Sequence, residues 1–234
     1  MKHKIPYSVK KRVRRFLDIV GNQETVINER EISNFFKKAF AALQFNGITG
    51  DYLEFGTGEG FSFSCANTAN LRSSKPRRKL WGFDSFEGLP EEVSERDQHR
   101  AWVKGEMAIG MRDFERRCKK VGIKNYELVP GFYSDSLRDK DLDYFPPGSI
   151  AMAYVDCDLY SSTLDVLRFI EPRMKGGMIL AFDDYFNFNE TGVSGEKRAF
   201  YEVLNHHNGR FNYEPYIQFA YAGMSFVVEE KSEI

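Results

Sequence analysis

A glycine-rich turn early in the chain constrains the possible folds more than any other feature of the sequence. The run Asp51–Phe55 has the apolar character of a short buried strand, and the sequence GTGEG follows it directly at 56–60. A helical pattern then begins at Phe61. Glycines at a strand-to-helix turn let the backbone approach a ligand, and the helix that follows directs its unpaired N–H groups toward that ligand. The segment therefore predicts a βα unit with a ligand-binding turn.

Strand and helix patterns alternate along the rest of the chain. Further strands are predicted at 79–84, 126–130, 150–155, 178–182, 211–219 and 223–229. Helices are predicted at 8–20, 29–44, 61–71, 111–121, 162–174 and 195–207. Strands separated by helical segments indicate βαβ units and a mainly parallel sheet. The pattern therefore predicts one doubly wound α/β domain over 1–234, with a helical extension at 1–49 and a polar insertion at 87–110.

Charge and cysteine usage exclude several classes of protein. Lys and Arg number 33 and Asp and Glu number 34, whereas nucleic-acid binders usually carry a basic surplus for phosphate contacts. The basic segment 1–16 is interpreted as a solvated helix face, and no apolar run of signal-peptide or membrane-span length follows it. The three cysteines have no CxxC spacing, which fits a reducing compartment. We therefore expect a cytoplasmic protein that binds neither nucleic acid nor membrane.

Two acidic residues accompany the glycine turn. Glu54 ends the first predicted strand, where it would repel a pyrophosphate and favour the ammonium and sulfonium groups of S-adenosylmethionine (SAM). Asp84 ends the second predicted strand, where an acid can accept hydrogen bonds from the ribose hydroxyls of an adenosine cofactor. Phe61 stands where the dinucleotide-binding motif has glycine. These residues favour SAM over a nicotinamide dinucleotide; in the alternative interpretation, the glycines only form a turn and the acids only cap loops.

Aspartates follow two other predicted strands. Asp156 and Asp158 end one of them, and Asp183 and Asp184 end the next. The carboxyl ends of parallel strands meet at one edge of the sheet, where α/β proteins bind ligands. Carboxylates that converge there without Lys or Arg would repel one another unless they shared a hard divalent cation such as Mg²⁺, Mn²⁺ or Ca²⁺. In the alternative interpretation they cap helices and satisfy loop amides; Asp158 is the weakest metal candidate of the four.

Five blocks of sequence resemble one known family. They are GDYLEFGTGEGFS (50–62), GFDSFEGLPEE (82–92), VPGFYSDSL (129–137), VDCDLYSSTLDVL (155–167) and RMKGGMILAFDDYF (173–186). Through these blocks, the chain from about Gly50 to Phe200 resembles the macrocin O-methyltransferase family of bacterial sugar-modifying enzymes. The blocks that contain FDSFEGLP, DCDLYSST and DDY are specific to this family, whereas the glycine turn alone is not. Cys157 stands where the family usually has Gly, Thr57 stands where it has a larger residue, and the segment 93–110 does not match.

This resemblance implies the class I methyltransferase fold, a Rossmann-like doubly wound sheet that is mostly parallel with an antiparallel last strand. It also implies SAM as the methyl donor, sugar hydroxyls of a small natural product as acceptors, and Mg²⁺ bound by residues that match Asp156, Asp183 and Asp184. Together with the glycine turn, it leads us to predict a set of SAM-binding residues. They are Glu54, Gly56, Thr57, Gly58, Gly60, Ser62, Asp84, Ser85, Gly131 and Asp156.

A cation held by these aspartates could ligate two neighbouring oxygens of the acceptor, lower the pKa of the hydroxyl group and align it with the methyl group. Asp183 is therefore predicted to be catalytic as well as a ligand. His99 lies in the insertion at 87–110, which is predicted to form a lid, and it is the candidate general base. The alternative for His99 is a solvated loop residue. His206 and His207 precede a predicted helix end and need no catalytic role.

The acceptor is expected to be a small molecule with neighbouring hydroxyl groups. The sequence does not predict the number of subunits, and a homo-oligomer is possible. Aromatic residues around the last acidic pair could wall the acceptor pocket: Phe182, Tyr185, Phe186 and Phe188.

Three alternative functions make different predictions. A metal-independent SAM methyltransferase would keep its activity in a chelator, and a non-catalytic SAM-binding protein would bind the cofactor without turnover. A nicotinamide oxidoreductase would bind NADH more tightly than SAM.

Overall fold

Helices and strands alternate along the chain, whose computed structural model describes residues 23–91, 95–97, 104–105, 107–138, 145–146, 148–188, 192–205 and 209–231. The α-helices in these ranges are α1 (Gln23–Phe45), α2 (Phe61–Ser73), α3 (Met111–Lys120), α4 (Tyr133–Ser136), α5 (Tyr160–Ile170) and α6 (Gly195–Val203). Short 3₁₀ helices cover Glu95–Asp97 and Glu171–Arg173. The strands are β1 (Asp51–Phe55), β2 (Leu80–Asp84), β3 (Tyr126–Pro130), β4 (Ile150–Val155), β5 (Ile179–Phe182), β6 (Phe211–Phe219) and β7 (Gly223–Glu230).

The strands of the described part form one sheet in the order β3-β2-β1-β4-β5-β7-β6. Neighbours among β1 to β5 are parallel, whereas β7 runs antiparallel to both β5 and β6. The chain proceeds outward from β1 to β3 and then returns to place β4 on the other side of β1. Ligand sites in open α/β sheets lie beyond the carboxyl ends of the strands at such a reversal. The predicted doubly wound sheet with an antiparallel last strand is confirmed.

Apolar side chains cover both faces of the sheet. On one face, Phe36 of α1 and Phe63 of α2 pack in one core with Tyr52 of β1. On the other face, Phe200 of α6 packs in a second core with Leu53, the next residue of β1. Successive strand residues serve opposite cores because side chains of a strand alternate between its two faces. Each of these helices buries one side only, and none in the described ranges is long and apolar enough to cross a membrane.

The structure differs from the sequence prediction mainly at helix ends. Helix α1 begins at Gln23 rather than at residue 29, and its residues 25–27 are exposed, so the apolar pattern ahead of residue 29 is weak. Helix α5 spans Tyr160–Ile170 rather than 162–174, because Pro172 in the following 3₁₀ turn has no N–H with which to continue an α-helix. The short helix α4 was not predicted, since four residues carry no periodicity. The helix predicted at 8–20 lies outside the described residues.

Candidate active site

The glycine turn crosses the carboxyl end of β1, and two of its glycines are required by the geometry. Gly56 has a φ of +88°, and a Cβ there would overlap the carbonyl oxygen of Asp156, which follows β4. Gly60 is the N-cap of α2 with a φ of +80°, and a Cβ there would lie 3.1 Å from the ring of Phe114. Only glycine adopts a left-handed conformation at so close an approach without strain. The turn therefore packs the backbone of β1 directly against the end of β4.

Asp84 fastens this turn to the end of β2. Its Oδ2 accepts hydrogen bonds from the backbone N–H of Thr57 at 2.8 Å, from the Thr57 hydroxyl at 3.0 Å and from the Gly58 N–H at 3.3 Å. Its Oδ1 accepts a hydrogen bond from the backbone N–H of Phe86 at 2.7 Å. A carboxylate offers about four acceptor sites, so much of this capacity is used within the protein. The predicted bond from Asp84 to a ribose hydroxyl stays a prediction. The structure shows that Asp84 also has a structural role, because it holds the glycine turn.

Glu54 lies beneath the turn rather than in front of it. Its side chain is fully buried, and it accepts hydrogen bonds from the Ser62 hydroxyl at 2.6 Å and from the Tyr52 hydroxyl. Burial raises the pKa of Glu54 to about 8, although both hydrogen bonds act to lower it. The bond from Ser62 joins β1 to α2 under the glycine turn. The predicted contact between Glu54 and the ammonium group of SAM does not follow from this position, because packing turned the carboxylate inward.

A cleft opens beside the turn, at the carboxyl ends of β1 to β4. Six of the ten predicted SAM-binding residues line it: Gly56, Gly58, Asp84, Ser85, Gly131 and Asp156. The other four do not line it: Glu54, Thr57, Gly60 and Ser62. Thr57 supports the lining residue Asp84, to which it donates a hydrogen bond, whereas Ser62 donates one to Glu54. Further lining residues come from the segment after β3 and from the start of α5: Phe132, Tyr133, Ser134, Ser161, Ser162 and Asp165.

Aspartates from the ends of β4 and β5 converge at one side of this cleft. One carboxylate oxygen each from Asp156, Asp158 and Asp184 lie within 4.8 Å of one another; we call these three residues the acid cluster. Asp183 is not part of this group, and its Oδ1 accepts a hydrogen bond from the Tyr154 hydroxyl. Asp158 has a φ of +61°, which is uncommon for a residue with a side chain and turns it back toward the other two. The structure therefore brings together two of the three predicted metal ligands and adds Asp158.

Burial and mutual repulsion disfavour negative charge in the acid cluster. Desolvation, together with the charges of Asp158 and Asp183, raises the pKa of Asp184 to about 9. Desolvation also raises the pKa of Asp158 to about 6 and that of Asp156 well above its ordinary value, with a contribution from Asp183 to both. Carboxylates in this situation are stabilised by a nearby positive charge. The cluster is therefore an arrangement of oxygen ligands that a cation would stabilise.

A fifth carboxylate joins the two loops that carry these aspartates. Glu196, in the first turn of α6, is completely buried. Its Oε1 accepts a hydrogen bond from the backbone N–H of Cys157 at 3.1 Å, and its Oε2 accepts one from the backbone N–H of Asp184 at 2.9 Å. Desolvation raises the pKa of Glu196 well above its ordinary value, and the charge of Asp184 adds to this. Sequence analysis missed Glu196 because an acid in the first turn of a predicted helix is usually explained by the helix dipole.

The described middle of the insertion at 87–110 is anchored on helices α5 and α6. The buried Asp97 carboxylate accepts a hydrogen bond at 2.8 Å from the backbone N–H of Ser161. This bond satisfies one of the unpaired donors at the start of α5. Arg96 donates a hydrogen bond at 3.0 Å to Glu202 of α6. The insertion is therefore fixed at its centre, rather than attached only through its two ends.

The ends of the insertion reach the cleft. Leu89, Pro90 and Glu91 line it from one end, and Met107 lines it from the other. The candidate base His99 lies outside the described residues, as do His206 and His207. The assignment of the base and the movement of the lid both stay predictions.

The aromatic residues around the last acidic pair divide into two groups. Phe182 and Tyr185 are buried, and both rings pack against Phe200 of α6. The prediction that these two wall an acceptor pocket is wrong, because their side chains point into the core. Phe186 is half-buried and packs against this core, whereas Phe188 is 71% exposed. It remains available to an acceptor.

Tyr221, which the sequence analysis did not single out, lies in the turn between β6 and β7 and is 73% exposed. The backbone N–H of Phe186 donates to the carbonyl of Ala222 at 2.8 Å, which holds this turn beside the loop after β5. Partial desolvation and the charge of Asp184 raise the pKa of Tyr221. A distant part of the chain thus supplies a second exposed aromatic side chain near the acid cluster.

Comparison with known proteins identifies relatives of this arrangement. The model of one protein family, described as macrocin-O-methyltransferase (TylF), matches residues 3–201. This match contains the glycine turn, the acid cluster and Glu196, so it covers the elements from which the candidate site is built. A solved structure, that of the O-methyltransferase NovP, has a TM-score of 0.70 at 20% identity and covers 89% of each chain. This likeness confirms the methyltransferase fold.

Two curated relatives are similar in sequence. The chain is 28% identical over 147 residues to 8-demethyl-8-(2,3-dimethoxy-alpha-L-rhamnosyl)-tetracenomycin-C 4'-O-methyltransferase of Streptomyces olivaceus, an alignment that covers 60% of this chain and 54% of the relative. It is 24% identical over 170 residues to mycinamicin III 3''-O-methyltransferase of Micromonospora griseorubida, which covers 69% of this chain and 65% of the relative. The alignments therefore span less than two thirds of the length of these relatives.

Proposed function

This chain belongs to the macrocin O-methyltransferase family, and on that premise we propose that it is an enzyme that transfers a methyl group from SAM to a hydroxyl group of a small molecule. The acceptor is a sugar of a glycosylated natural product, and a divalent cation takes part. The observation that carries this proposal is the position of the acid cluster, because Asp156 and Asp158 also line the cleft that the glycine turn borders.

The cleft fits SAM in the chemistry of its walls. A Cβ on Gly58 would meet nothing within 4 Å, so ligand atoms can lie directly against the backbone there. Asp156 and Asp158 offer negative charge to the ammonium and sulfonium groups, the role that the sequence predicted for Glu54. Asp84 and Ser85 are the proposed partners of the ribose. When bound, SAM supplies an electrophilic methyl group; the part of these residues is to hold the cofactor in one orientation.

The acid cluster fits a hard divalent cation. Its donor atoms are all carboxylate oxygens, the ligands that Mg²⁺, Mn²⁺ and Ca²⁺ prefer. Asp156 and Asp184 belong both to the predicted ligand set and to the observed cluster, while Asp158 and Asp183 are alternatives for the third ligand. Tyr154 orients Asp183 from the neighbouring strand. A bound cation would lower the pKa of the acceptor hydroxyl and stabilise the negative charge that develops on its oxygen.

The acceptor hydroxyl loses a proton during the transfer, and two side chains are proposed to accept it. One is His99, the base predicted from the sequence. The other is Asp158, which lines the cleft and is free to act as a base where Asp183 is the third ligand of the cation. A base must lie within hydrogen-bond reach of the hydroxyl group that it deprotonates. Replacing each one singly, by Asn at 158 and by Gln at 99, and comparing the pH profiles of turnover distinguishes them.

The proposed acceptor class draws on a relative and on exposed rings. The name of the Streptomyces olivaceus relative specifies a rhamnosyl group on tetracenomycin C, and we transfer the sugar hydroxyl to this chain as a proposal. Phe188 and Tyr221 are more than two-thirds exposed, at 71% and 73%, and can pack against a sugar ring or its aglycone. The near balance of charge supports such a small-molecule partner over nucleic acid. The cytoplasmic location stays a prediction.

The test is SAM turnover on a panel of glycosylated natural products, with and without EDTA. Turnover should fall in EDTA, return with Mg²⁺ and be slower with Ca²⁺, whose looser geometry holds an acceptor less firmly. Asp184→Asn should lower turnover by about 100-fold or more, because Lewis-acid stabilisation is worth several kcal/mol. SAM affinity should change little in this variant. Asp113→Asn, at an exposed position on α3, is the matched control and should leave both unchanged.

Each alternative has its own outcome in this assay. Turnover that is indifferent to EDTA would indicate a metal-independent methyltransferase. SAM binding without turnover on any acceptor would indicate a non-catalytic binding protein, and NADH binding tighter than SAM binding would indicate an oxidoreductase. A variant that lacks both Asp183 and Asp184 carboxylates and still methylates at the wild-type rate would overturn the metal mechanism.

A further inference from the structure

We propose that Glu196 is a positioning residue for the metal site: its carboxylate holds the loop after β4 and the loop after β5 at the separation at which Asp156 and Asp184 can bind one cation. This inference rests on the proposed function. It adds to the site a residue that lies outside the acid cluster and acts through the backbone of its neighbours.

Glu196 lies just beyond the last backbone hydrogen bond between β4 and β5, where its side chain takes the place of further bonds between the strands. The hydrogen bond from the Asp183 N–H to the Val155 carbonyl, at 2.9 Å, is the last backbone bond that joins the end of β4 to the end of β5. Immediately beyond it, the N–H groups of Cys157 and Asp184 both donate to the Glu196 carboxylate, at 3.1 and 2.9 Å. One side chain therefore continues the connection between the two strands where the ladder ends.

The two residues before Glu196 fix the position of the first turn of α6. A Cβ on Gly195 would lie 2.6 Å from the backbone nitrogen of Tyr160, so only glycine lets the start of α6 approach α5 this closely. The Ser194 hydroxyl accepts a hydrogen bond from the Lys197 N–H at 3.1 Å and donates one to the Tyr185 carbonyl at 3.0 Å. The first turn of α6 is thus held at its cap and at its closest contact. Its geometry places Glu196 between the two loops.

A carboxylate is the side chain that this position requires. Both of its oxygens accept from buried backbone N–H groups, and leaving such a donor unsatisfied is costly. In Glu196→Gln, the amide has one oxygen and one NH₂ group, so the NH₂ group must face the N–H of either Cys157 or Asp184. One of the two loops is then released. The aspartate on that loop becomes free to move away from the others, which lowers the affinity for a shared cation.

The experiment measures Mn²⁺ binding directly, from the electron paramagnetic resonance signal of the free ion. Outer partners of metal ligands typically contribute about 10- to 100-fold in metal affinity, and we expect Glu196→Gln to weaken Mn²⁺ binding by that amount. Glu202→Gln is the matched control, since it makes the same substitution on the same helix at a carboxylate that bonds Arg96 and Tyr160 instead. Its Mn²⁺ affinity should equal that of the wild type. Calorimetry should show unchanged SAM affinity in Glu202→Gln.

A second variant and a second measurement test the positioning role without relying on Glu196→Gln and Mn²⁺ affinity alone. Gly195→Ala retains the Glu196 carboxyl group but displaces the start of α6, and it should weaken Mn²⁺ binding as well. In the metal-free wild type, hydrogen exchange should be slow at the amides of Cys157 and Asp184. In Glu196→Gln, at least one of these two amides should exchange faster.

The outcomes separate this inference from the proposed function. Equal Mn²⁺ affinity in the wild type and Glu196→Gln, or unchanged exchange at both amides, overturns the positioning role and leaves the proposed function standing. Failure of the wild type to bind Mn²⁺ overturns the metal part of the proposed function itself. If Glu196→Gln does not fold, Gly195→Ala decides, and wild-type Mn²⁺ affinity in that variant overturns the positioning role.

Discussion

Replacing Asp84 with alanine should destabilise the fold and weaken SAM binding together, because one carboxylate holds the glycine turn. Thr57 is only 2% exposed, so its backbone N–H loses a partner that water cannot readily replace. An unsatisfied buried donor costs about 1–3 kcal/mol. The Gly58 N–H is exposed and can return to water at little cost. We therefore expect Asp84→Ala to lower the free energy of unfolding by about 1–3 kcal/mol, chiefly through Thr57.

The assay is urea unfolding of the wild type, Asp84→Ala, Thr57→Val and the double variant. Thr57→Val removes only the hydroxyl bond to Asp84, at 3.0 Å, and keeps the methyl group that faces Gly82. Because the two side chains are in direct contact, their costs should not add. A coupling of about 0.5–3 kcal/mol is the range for bonded pairs in a double-mutant cycle. Additive costs would contradict the proposed connection between Asp84 and the turn.

SAM binding to the same variants, measured by calorimetry, tests the functional half of the prediction. A hydrogen bond to a charged group contributes about 1.5–3 kcal/mol, so loss of a ribose contact and of the ordered turn should weaken binding by about tenfold or more. Thr57→Val, which leaves the carboxylate in the cleft, should have a smaller effect. A folded Asp84→Ala variant with wild-type affinity would refute the assignment of this cleft to SAM.

Two further predictions concern the insertion and the acceptor. Asp97→Ala removes the bond to the Ser161 N–H and should cost about 0.5–2 kcal/mol, the range for a lost helix cap. Hydrogen exchange should become faster at Ser161 and over residues 95–97; unchanged exchange there would show that the insertion is held in another way. Phe188→Ala should raise the KM for the acceptor and leave SAM affinity unchanged, because the ring is exposed beside the acidic loop. If acceptor kinetics stay the same while SAM affinity falls, Phe188 belongs to the cofactor side of the site.

Local patterns in the sequence were sufficient for the fold and for the edge of the sheet where the site lies. The short apolar runs of β1 and β4, separated by segments with helical spacing, predict a mainly parallel sheet, and the structure has it. The glycines at 56 and 60 were predicted to form the turn, and both have the left-handed backbone that requires glycine. Asp84, Asp156 and Asp184 were predicted at strand ends, which parallel strands bring to one edge. All of these inferences depend on neighbouring residues only.

Which way each acid faces was decided only by the tertiary structure. Glu54 ends β1 as predicted, but packing of α2 buries it under the turn, where Ser62 and Tyr52 bond its carboxylate. Asp158 joins the acid cluster through a left-handed backbone that its sequence context does not indicate.

Glu196 is the clearest case of a side chain whose partners could not be predicted from the sequence. In the sequence it is one acid in the first turn of a helix, and only the approach of α6 to α5 places it between the two loops that carry the aspartates. The position of a residue at a strand or helix end follows from local periodicity. The partner of its side chain depends on elements that are distant in the chain and adjacent in space.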